Sequence, residues 1–317
     1  MIEARRPPDV VVVGAASRDL ADDDPRGWRL GGGVSYSALT TARLGLATAA
    51  IIGVDEVAAR APELDLLRQE GVDVHLVHLR RGPVFDNIEG PAGRRQVVHE
   101  VADPLDPEAV PRAWWSAAGW ILAPVAAELP AAWARVPPAE AFVALGWQGL
   151  LRALVAGEVV QRVRPGPHGL LERADLVGVG RDDLDEGTEL EDLYGALRPG
   201  ATLALTHGER GGLVADRRDD GSLRLRRYPA VPSRVVVDPT GAGDVFLAAL
   251  AAVRVESRLV GGRTRGGLDL LIAAAAASLV IERRGLLGVG DHAAVRRRAA
   301  EARLRGPSEP QAREHHI

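Results

Sequence analysis

Short unbroken apolar runs alternate along this chain with longer stretches whose apolar residues recur every three or four positions. Asp9-Val-Val-Val-Val-Gly14 is such a run, stopped by glycine, and suits a strand buried on both faces. Ala47–Gly53, Val72–Leu79, Trp120–Ala123, Ala141–Leu145, Leu176–Val179, Ala201–Thr206 and Val235–Val237 read the same way. Helical spacing falls at 34–45, 56–70 (interrupted near Pro62), 107–114, 149–155, 189–197, 244–257, 266–283 and 291–304. Strands alternating with helices predict an α/β fold, a mostly parallel sheet with helices on both faces.

Two regions break the rhythm. Residues 15–33 lack helical periodicity, and residues 83–101 read as a hairpin turning at Gly90–Gly93. Together they predict a small β lid over one end of the sheet. The expectation is a single domain over residues 1–306 with lid segments at about 15–33 and 83–101, and a disordered tail at 307–317.

Composition narrows the function. The chain has 317 residues, 46% of them hydrophobic, enough for one large α/β core of an ordinary soluble enzyme. Its longest apolar run, Leu268 to Ile281, is broken by Asp269 and rich in alanine, so it reads as a buried helix and not a membrane span. The charged first residues do not resemble a secretory signal, and a cytoplasmic location is expected. A formal net charge of −4 argues against nucleic acid as a partner. The arginines at 283, 284 and 296–298 are interleaved with alanine and Glu301, and read as a solvated helix face.

Two absences carry more weight. There is no cysteine, which removes thiol catalysis, disulfides and zinc–thiolate sites. There is also no lysine, which removes a Walker-type phosphate loop and Schiff-base chemistry. Any phosphoryl transfer must therefore use backbone amides, arginine and metal ions.

Those resources meet in Val235-Val-Val-Asp-Pro-Thr-Gly-Ala-Gly-Asp-Val-Phe246. The valines read as a buried strand. Thr240, Gly241, Ala242 and Gly243 leave the backbone uncovered, so several N–H groups can converge on one anion. The helix that follows adds its positive dipole end. Asp244 then places a carboxylate where negative charge is otherwise accommodated, which suits a base that takes a proton from an attacking hydroxyl. A plain turn is the bland alternative. A dinucleotide fingerprint fits badly, because Phe246 occupies its third glycine position.

This string resembles the C-terminal signature of the PfkB (ribokinase-like) carbohydrate kinases. In that family the Asp is the catalytic base and the Gly241, Ala242 and Gly243 amides would form the anion hole. Leu30-Gly-Gly-Gly-Val-Ser-Tyr-Ser-Ala-Leu-Thr-Thr-Ala-Arg-Leu-Gly45 resembles the N-terminal signature, placing Gly32 and Gly33 in the sugar-binding turn. Read alone, that segment has a flexible loop before a tightly packed helix as its lesser alternative. Asp19 matches the family acid that binds substrate hydroxyls, whereas Asp22 to Asp24 read as solvated loop charges.

Departures from the family bear on substrate. Tyr36 stands where Asn is common, and no acid follows the middle strand before Glu128. Tyr36, Phe85-Asp-Asn87, Gln148-Gly-Leu-Leu-Arg152 and Val280-Ile-Glu-Arg-Arg-Gly285 resemble the branch that includes inositol kinases. This implies a polyol such as myo-inositol, with Tyr36, Asn87, Gln148 and Arg152 at the substrate. Gln148 and Arg152 also read as helix-capping, solvated side chains.

Thr206-His-Gly-Glu-Arg-Gly211 resembles the family segment along the nucleotide phosphates, so Thr206, Gly208, Gly211 and Thr240 are the implied nucleotide contacts. By itself it reads equally as a turn opening a strand at Gly212–Asp216. The family's Asn-x-x-Glu metal motif is altered: Gly180 replaces Asn and Asp183 replaces Glu, with Asp182 a rival. Asp183 is the implied magnesium ligand, and Asp238 the implied neighbour of a monovalent cation such as K+.

The resemblance runs from Asp9 to about Arg298. It implies a ribokinase-like fold, ATP and Mg2+ as cofactors, a small sugar or polyol as acceptor, and a homodimer joined through the lid. No nucleic acid or membrane partner is expected. A nucleoside kinase of the same fold, and a sugar or polyol sensor without turnover, are the alternatives.

Overall fold

The computed structural model describes residues 7–90, 93–218, 220–262 and 267–305, so the tail expected at 307–317 lies outside the described residues. In chain order the elements begin β1 (Val10–Ala15), β2 (Arg18–Leu20), β3 (Trp28–Leu30), α1 (Gly33–Arg43), β4 (Thr48–Val54), α2 (Pro62–Gln69) and β5 (Asp73–His78). Next come β6 (Val84–Gly90), β7 (Gly93–Glu100), β8 (Gly119–Leu122), β9 (Phe142–Gly146), β10 (Arg152–Ala153), β11 (Glu158–Val159) and β12 (Gln161–Arg162). The rest are α3 (Gly169–Arg173), β13 (Leu176–Gly180), α4 (Leu190–Ala196), β14 (Thr202–Thr206), β15 (Gly212–Arg217), β16 (Leu223–Tyr228), α5 (Ala242–Leu259), α6 (Leu268–Val280) and α7 (His292–Arg305).

Nine strands form the main sheet in the order β16-β15-β14-β13-β9-β8-β1-β4-β5. The seven from β14 to β5 are parallel, and β15 and β16 close one edge antiparallel. After β1 the chain builds outward through β4 and β5, then returns to the other side of β1 with β8. That reversal leaves a crevice at the carboxyl ends of the strands, where sheets of this kind bind ligands.

Period-two alternation splits the buried side chains between two layers. Val10, Val12, Ala50, Ile52 and Ile121 face α1, α5 and α6, whereas Val11, Val13, Ile51, Leu122 and Val143 face Trp114, Trp120, Trp133 and Trp147. The second layer overturns two helix expectations. Residues 107–114 form two single 3-10 turns, and 149–155 hold the end of another plus β10. Pro107 and Pro111 each withhold an N–H from a continuing helix, and the indoles fill the layer instead.

Val235–Val237 is not a strand either. The three valines are 52%, 65% and 47% exposed, and the segment hangs on the Ile281 carbonyl through the N–H groups of Val237 (2.8 Å) and Asp238 (3.2 Å). The edge of the sheet is formed instead by β16, an unpredicted strand. Its alternation of Leu223, Leu225 and Arg224, Arg226 is the charged pattern of an edge strand and obscures the apolar signal.

The two irregular regions do come together. A second sheet runs β11-β7-β6-β2-β3, with β2 parallel to β6 and Asp19 beside Phe85. Two of the three acids read as solvated loop charges are paired. Asp24 is held by Arg26 at 3.0 Å, whose hydrogen bonds pull its carboxyl down to about 2. Asp23 takes the guanidinium groups of Arg29 and Arg284. On α7, Arg298 is likewise buried and not solvated, donating to Ser278 Oγ at 2.9 Å and pairing with Glu282.

Candidate active site

The turn before α5 has one backbone demand that only glycine meets without strain. Gly241 has φ +79°, and a Cβ there would stand 2.5 Å from the Tyr36 ring. α5 then begins, its apolar positions Val245, Phe246 and Leu247 driven into the core. A helix start leaves its first N–H groups without intrahelical acceptors. Of the three amides expected to bind an anion, that of Ala242 is turned onto the Pro239 carbonyl at 3.3 Å in this conformation. Gly243 lies exposed beside it.

Asp244 sits in the first turn of α5, its Oδ1 only 2.7 Å from where a Cβ on Gly33 would be. A side chain at position 33 would therefore collide with the carboxylate. The residue keeps some solvent contact, but its carboxyl is enclosed. Burial pushes Asp244 up to about 7, the charges of Asp183 and Asp19 push the same way, and Arg152 opposes them. A carboxyl in that range is suited to proton transfer near neutrality.

The second sheet and the strand ends supply the surrounding groups. Asp19 on β2 accepts from Ser17 Oγ at 2.8 Å, and a Cβ on Gly31 would fall 2.2 Å from its Oδ2. Asn87 follows Phe85 by two residues and so shares its face of β6, accepting from Gln96 Nε2 at 2.7 Å. The Arg152 guanidinium lies 5.8 Å from the centre of the Phe85 ring and donates to the Val125 carbonyl at 3.4 Å. Gln148 and Arg152 both turn to Asp183, at 2.5 Å and 3.7 Å. They are thus neither helix caps nor solvated, and Asp183 and Asp19 both lie close enough to act on Asp244.

Tyr36 is 2% exposed, with its ring pressed on Gly241, so it seats the turn. Gly32 has φ +88°, and a Cβ there would stand 2.5 Å from the Ala15 carbonyl, so only glycine lets α1 start this close to the end of β1. On the other flank, Thr206 pairs in register with Gly180 and lies close to Asp183. Gly208 begins a 3-10 turn at φ +50°, and Gly211 is crowded by the Tyr228 carbonyl. Thr240 donates its N–H to Asp238 Oδ1 at 2.9 Å, and Gly285 donates to Asp238 Oδ2 at 3.2 Å, making Asp238 a brace of the turn.

The donor set does not fit a protein-built magnesium cage. Asp183 spends Oδ1 on Gln148 and Arg152 and Oδ2 on the Gly180 N–H at 3.3 Å. No cluster of three or more His, Cys, Asp or Glu side chains able to hold a metal occurs among the described residues.

Sequence reasoning missed Gly31, Ser17 and Glu128. Glu128 is buried at the end of the β8 loop, where its carboxylate accepts the N–H groups of Ala15 (2.9 Å), Val125 (3.0 Å) and Ala126 (2.7 Å). Burial pushes its carboxyl up, and these amides pull it back. It ties the end of β1 to the loop whose Val125 carbonyl receives Arg152. The only available signal was an acid in an apolar stretch, Val125-Ala-Ala-Glu-Leu129.

Comparison with known proteins bears on this geometry. Residues 163–289 match the model of the pfkB family carbohydrate kinases. The chain carries the ribokinase-like fold. It is similar to a pyrophosphate-dependent kinase in the ribokinase family complexed with a pyrophosphate analog and myo-inositol (20% identity, TM-score 0.67, covering 87% of this chain and 96% of that one). It is also similar to an Arabidopsis thaliana ribokinase complexed with ribose and ATP (19%, TM-score 0.61, 92% and 99%). A Methanocaldococcus jannaschii nucleoside kinase is similar as well (15%, TM-score 0.63, 92% and 98%). No curated protein sequence matches the chain. Among the described residues no helix is long and apolar enough to cross a membrane.

Proposed function

We propose that this protein transfers the terminal phosphoryl group of ATP to a hydroxyl of a small polyol, with a myo-inositol-like acceptor favoured over ribose. The observation that carries the reading is the enclosed Asp244 carboxyl, held against Gly33 at the start of α5 with its proton affinity raised to about 7.

The chain's own residues account for the steps. Asp19 on β2, Asn87 on β6 and Arg152, whose guanidinium lies over the Phe85 ring, would hold the acceptor hydroxyls. Asp244 would take the proton of the attacking hydroxyl as the new P–O bond forms and the bond to the leaving phosphate breaks. The first-turn amides of α5, with Gly243 exposed among them, would stabilise the charge that develops on the transferring group. The second sheet serves as the lid, excluding water that would otherwise accept the phosphoryl group.

The nucleoside alternative needs an aromatic wall for a base. Trp114, Trp120, Trp133 and Trp147 are buried in the layer behind the sheet, which speaks against it. Retention of a buried base argues likewise against a sensor without turnover. The test is donor consumption across myo-inositol, pentoses, hexoses and nucleosides, with ATP and pyrophosphate compared. Selective turnover of a polyol supports the reading, and turnover of nucleosides alone overturns it.

A further inference from the structure

The hairpin between β2 and β3 carries an acid whose partners belong to opposite ends of the site. Backbone bonds close this hairpin tightly: Asp24 N–H to the Ala21 carbonyl at 3.1 Å, Gly27 N–H to the Asp24 carbonyl at 2.8 Å, and Ala21 N–H to the Gly27 carbonyl at 3.0 Å. Arg26 clamps the hairpin to α2 through Glu63 at 2.6 Å, and Glu63 accepts the Leu30 N–H at 3.3 Å. Asp23, at its tip, receives Arg29 from the same hairpin and Arg284 from the loop after α6.

That loop brackets the start of the anion turn. Its Ile281 carbonyl takes the N–H groups of Val237 and Asp238, and its Gly285 N–H takes Asp238 Oδ2. The other oxygen of Asp238 takes the Thr240 N–H. Arg29 also reaches over this loop, its Cδ 3.8 Å from where a Cβ on Gly285 would be. One ionic contact therefore joins the strand pair bearing Asp19 to the segment that shapes Thr240 through Asp244.

We propose that Asp23 is a positioning residue that couples the acceptor side of the site to the donor side. Through Arg284 it holds the 281–285 loop, and through that loop Asp238 and the anion turn, in register with the hairpin of Asp19. The inference rests on the kinase reading above. Asp23 and Arg284 are 39% and 56% exposed at their side chains, so the coupling is worth severalfold in rate or affinity, not orders of magnitude.

The experiment compares the full-length wild type with Asp23→Asn, Arg284→Gln, the double variant and Asp23→Glu. Steady-state kinetics with each substrate varied are paired with amide hydrogen exchange of the ligand-free proteins. Asp23→Asn, although on the acceptor side, is expected to raise KM for the phosphoryl donor about three- to fivefold, as a half-exposed ion pair allows. Arg284→Gln should match it, the double variant should be no worse than either single change, and Asp23→Glu should stay near wild type. Exchange at residues 238–244 and 285 should quicken in Asp23→Asn. An unchanged donor KM in an active background, or single effects that simply add, overturns the coupling. If the wild type shows no turnover at all, the kinase reading falls. Unchanged exchange at 238–244 and 285 then overturns the coupling on its own.

Discussion

Replacing Asp244 with asparagine should make the protein more stable and nearly inactive at once. The folded chain binds a proton at Asp244 more tightly than the unfolded chain, since burial and two neighbouring acids oppose ionisation. Between about pH 4 and pH 7 the unfolded state has lost that proton while the folded state keeps it. Stability therefore falls as pH rises through this window and levels off above about 7. Moving a carboxyl from its ordinary 3.8 to about 7 corresponds to about 4 kcal/mol. Because Asp244 keeps some solvent contact, about half of that, roughly 2 kcal/mol, is the realistic size.

Asparagine has nearly the same shape and no charge to ionise. Ligand-free urea unfolding should find Asp244→Asn more stable than wild type by roughly 2 kcal/mol at pH 8 and equal to it near pH 4. Turnover should fall about a hundred- to ten-thousand-fold, the usual contribution of a positioned base. Equal stability at pH 8, or turnover within tenfold of wild type, would refute the assignment of Asp244 as a strained base.

Other consequences follow from the same geometry. The pH profile of kcat/KM should fall about tenfold per pH unit below a limb near 7, because the base acts only when ionised. Gly241→Ala should cost more than about 1 kcal/mol and most of the activity, since φ +79° and the Tyr36 ring both resist a Cβ; thermal unfolding and initial rates check this. Gly33→Ala should reduce kcat by displacing the Asp244 carboxylate, with little change in melting temperature. Glu128→Ala should destabilise by about 3 kcal/mol or more, because three buried N–H groups lose their acceptor, measurable by denaturant unfolding.

Much of this architecture is legible in the chain because its parallel strands are buried on both faces and read as unbroken apolar runs. Val10–Ala15 and Thr48–Val54 are the clear cases. The same rule misleads at Val235–Val237, where three valines in a row lie exposed, held by a neighbouring carbonyl and not by a sheet. Periodicity also cannot tell a helix from a series of 3-10 turns when large indoles fill the layer, as around Trp114 and Trp133.

Within the site, glycine spacing pointed to the turn and its acid, since a close backbone approach leaves a sequence mark. It did not say what each glycine serves. Gly33 makes room for Asp244 and Gly31 for Asp19, and neither role is visible without the partner's position. Tyr36 shows the same limit: a tyrosine in a binding motif reads as a ligand contact, and the packing of its ring on Gly241 is not visible in the sequence. Ion pairs across the chain, such as Asp23 with Arg284, leave no local pattern at all.

The most direct test of the central claim is phosphorus NMR of the products formed from Mg-ATP and myo-inositol by wild type and Asp244→Asn. The account expects ADP and a new phosphate monoester in equal amounts with wild type, and neither with the variant. Inorganic phosphate in place of the ester, or an ester that forms as fast with asparagine at 244, would contradict it.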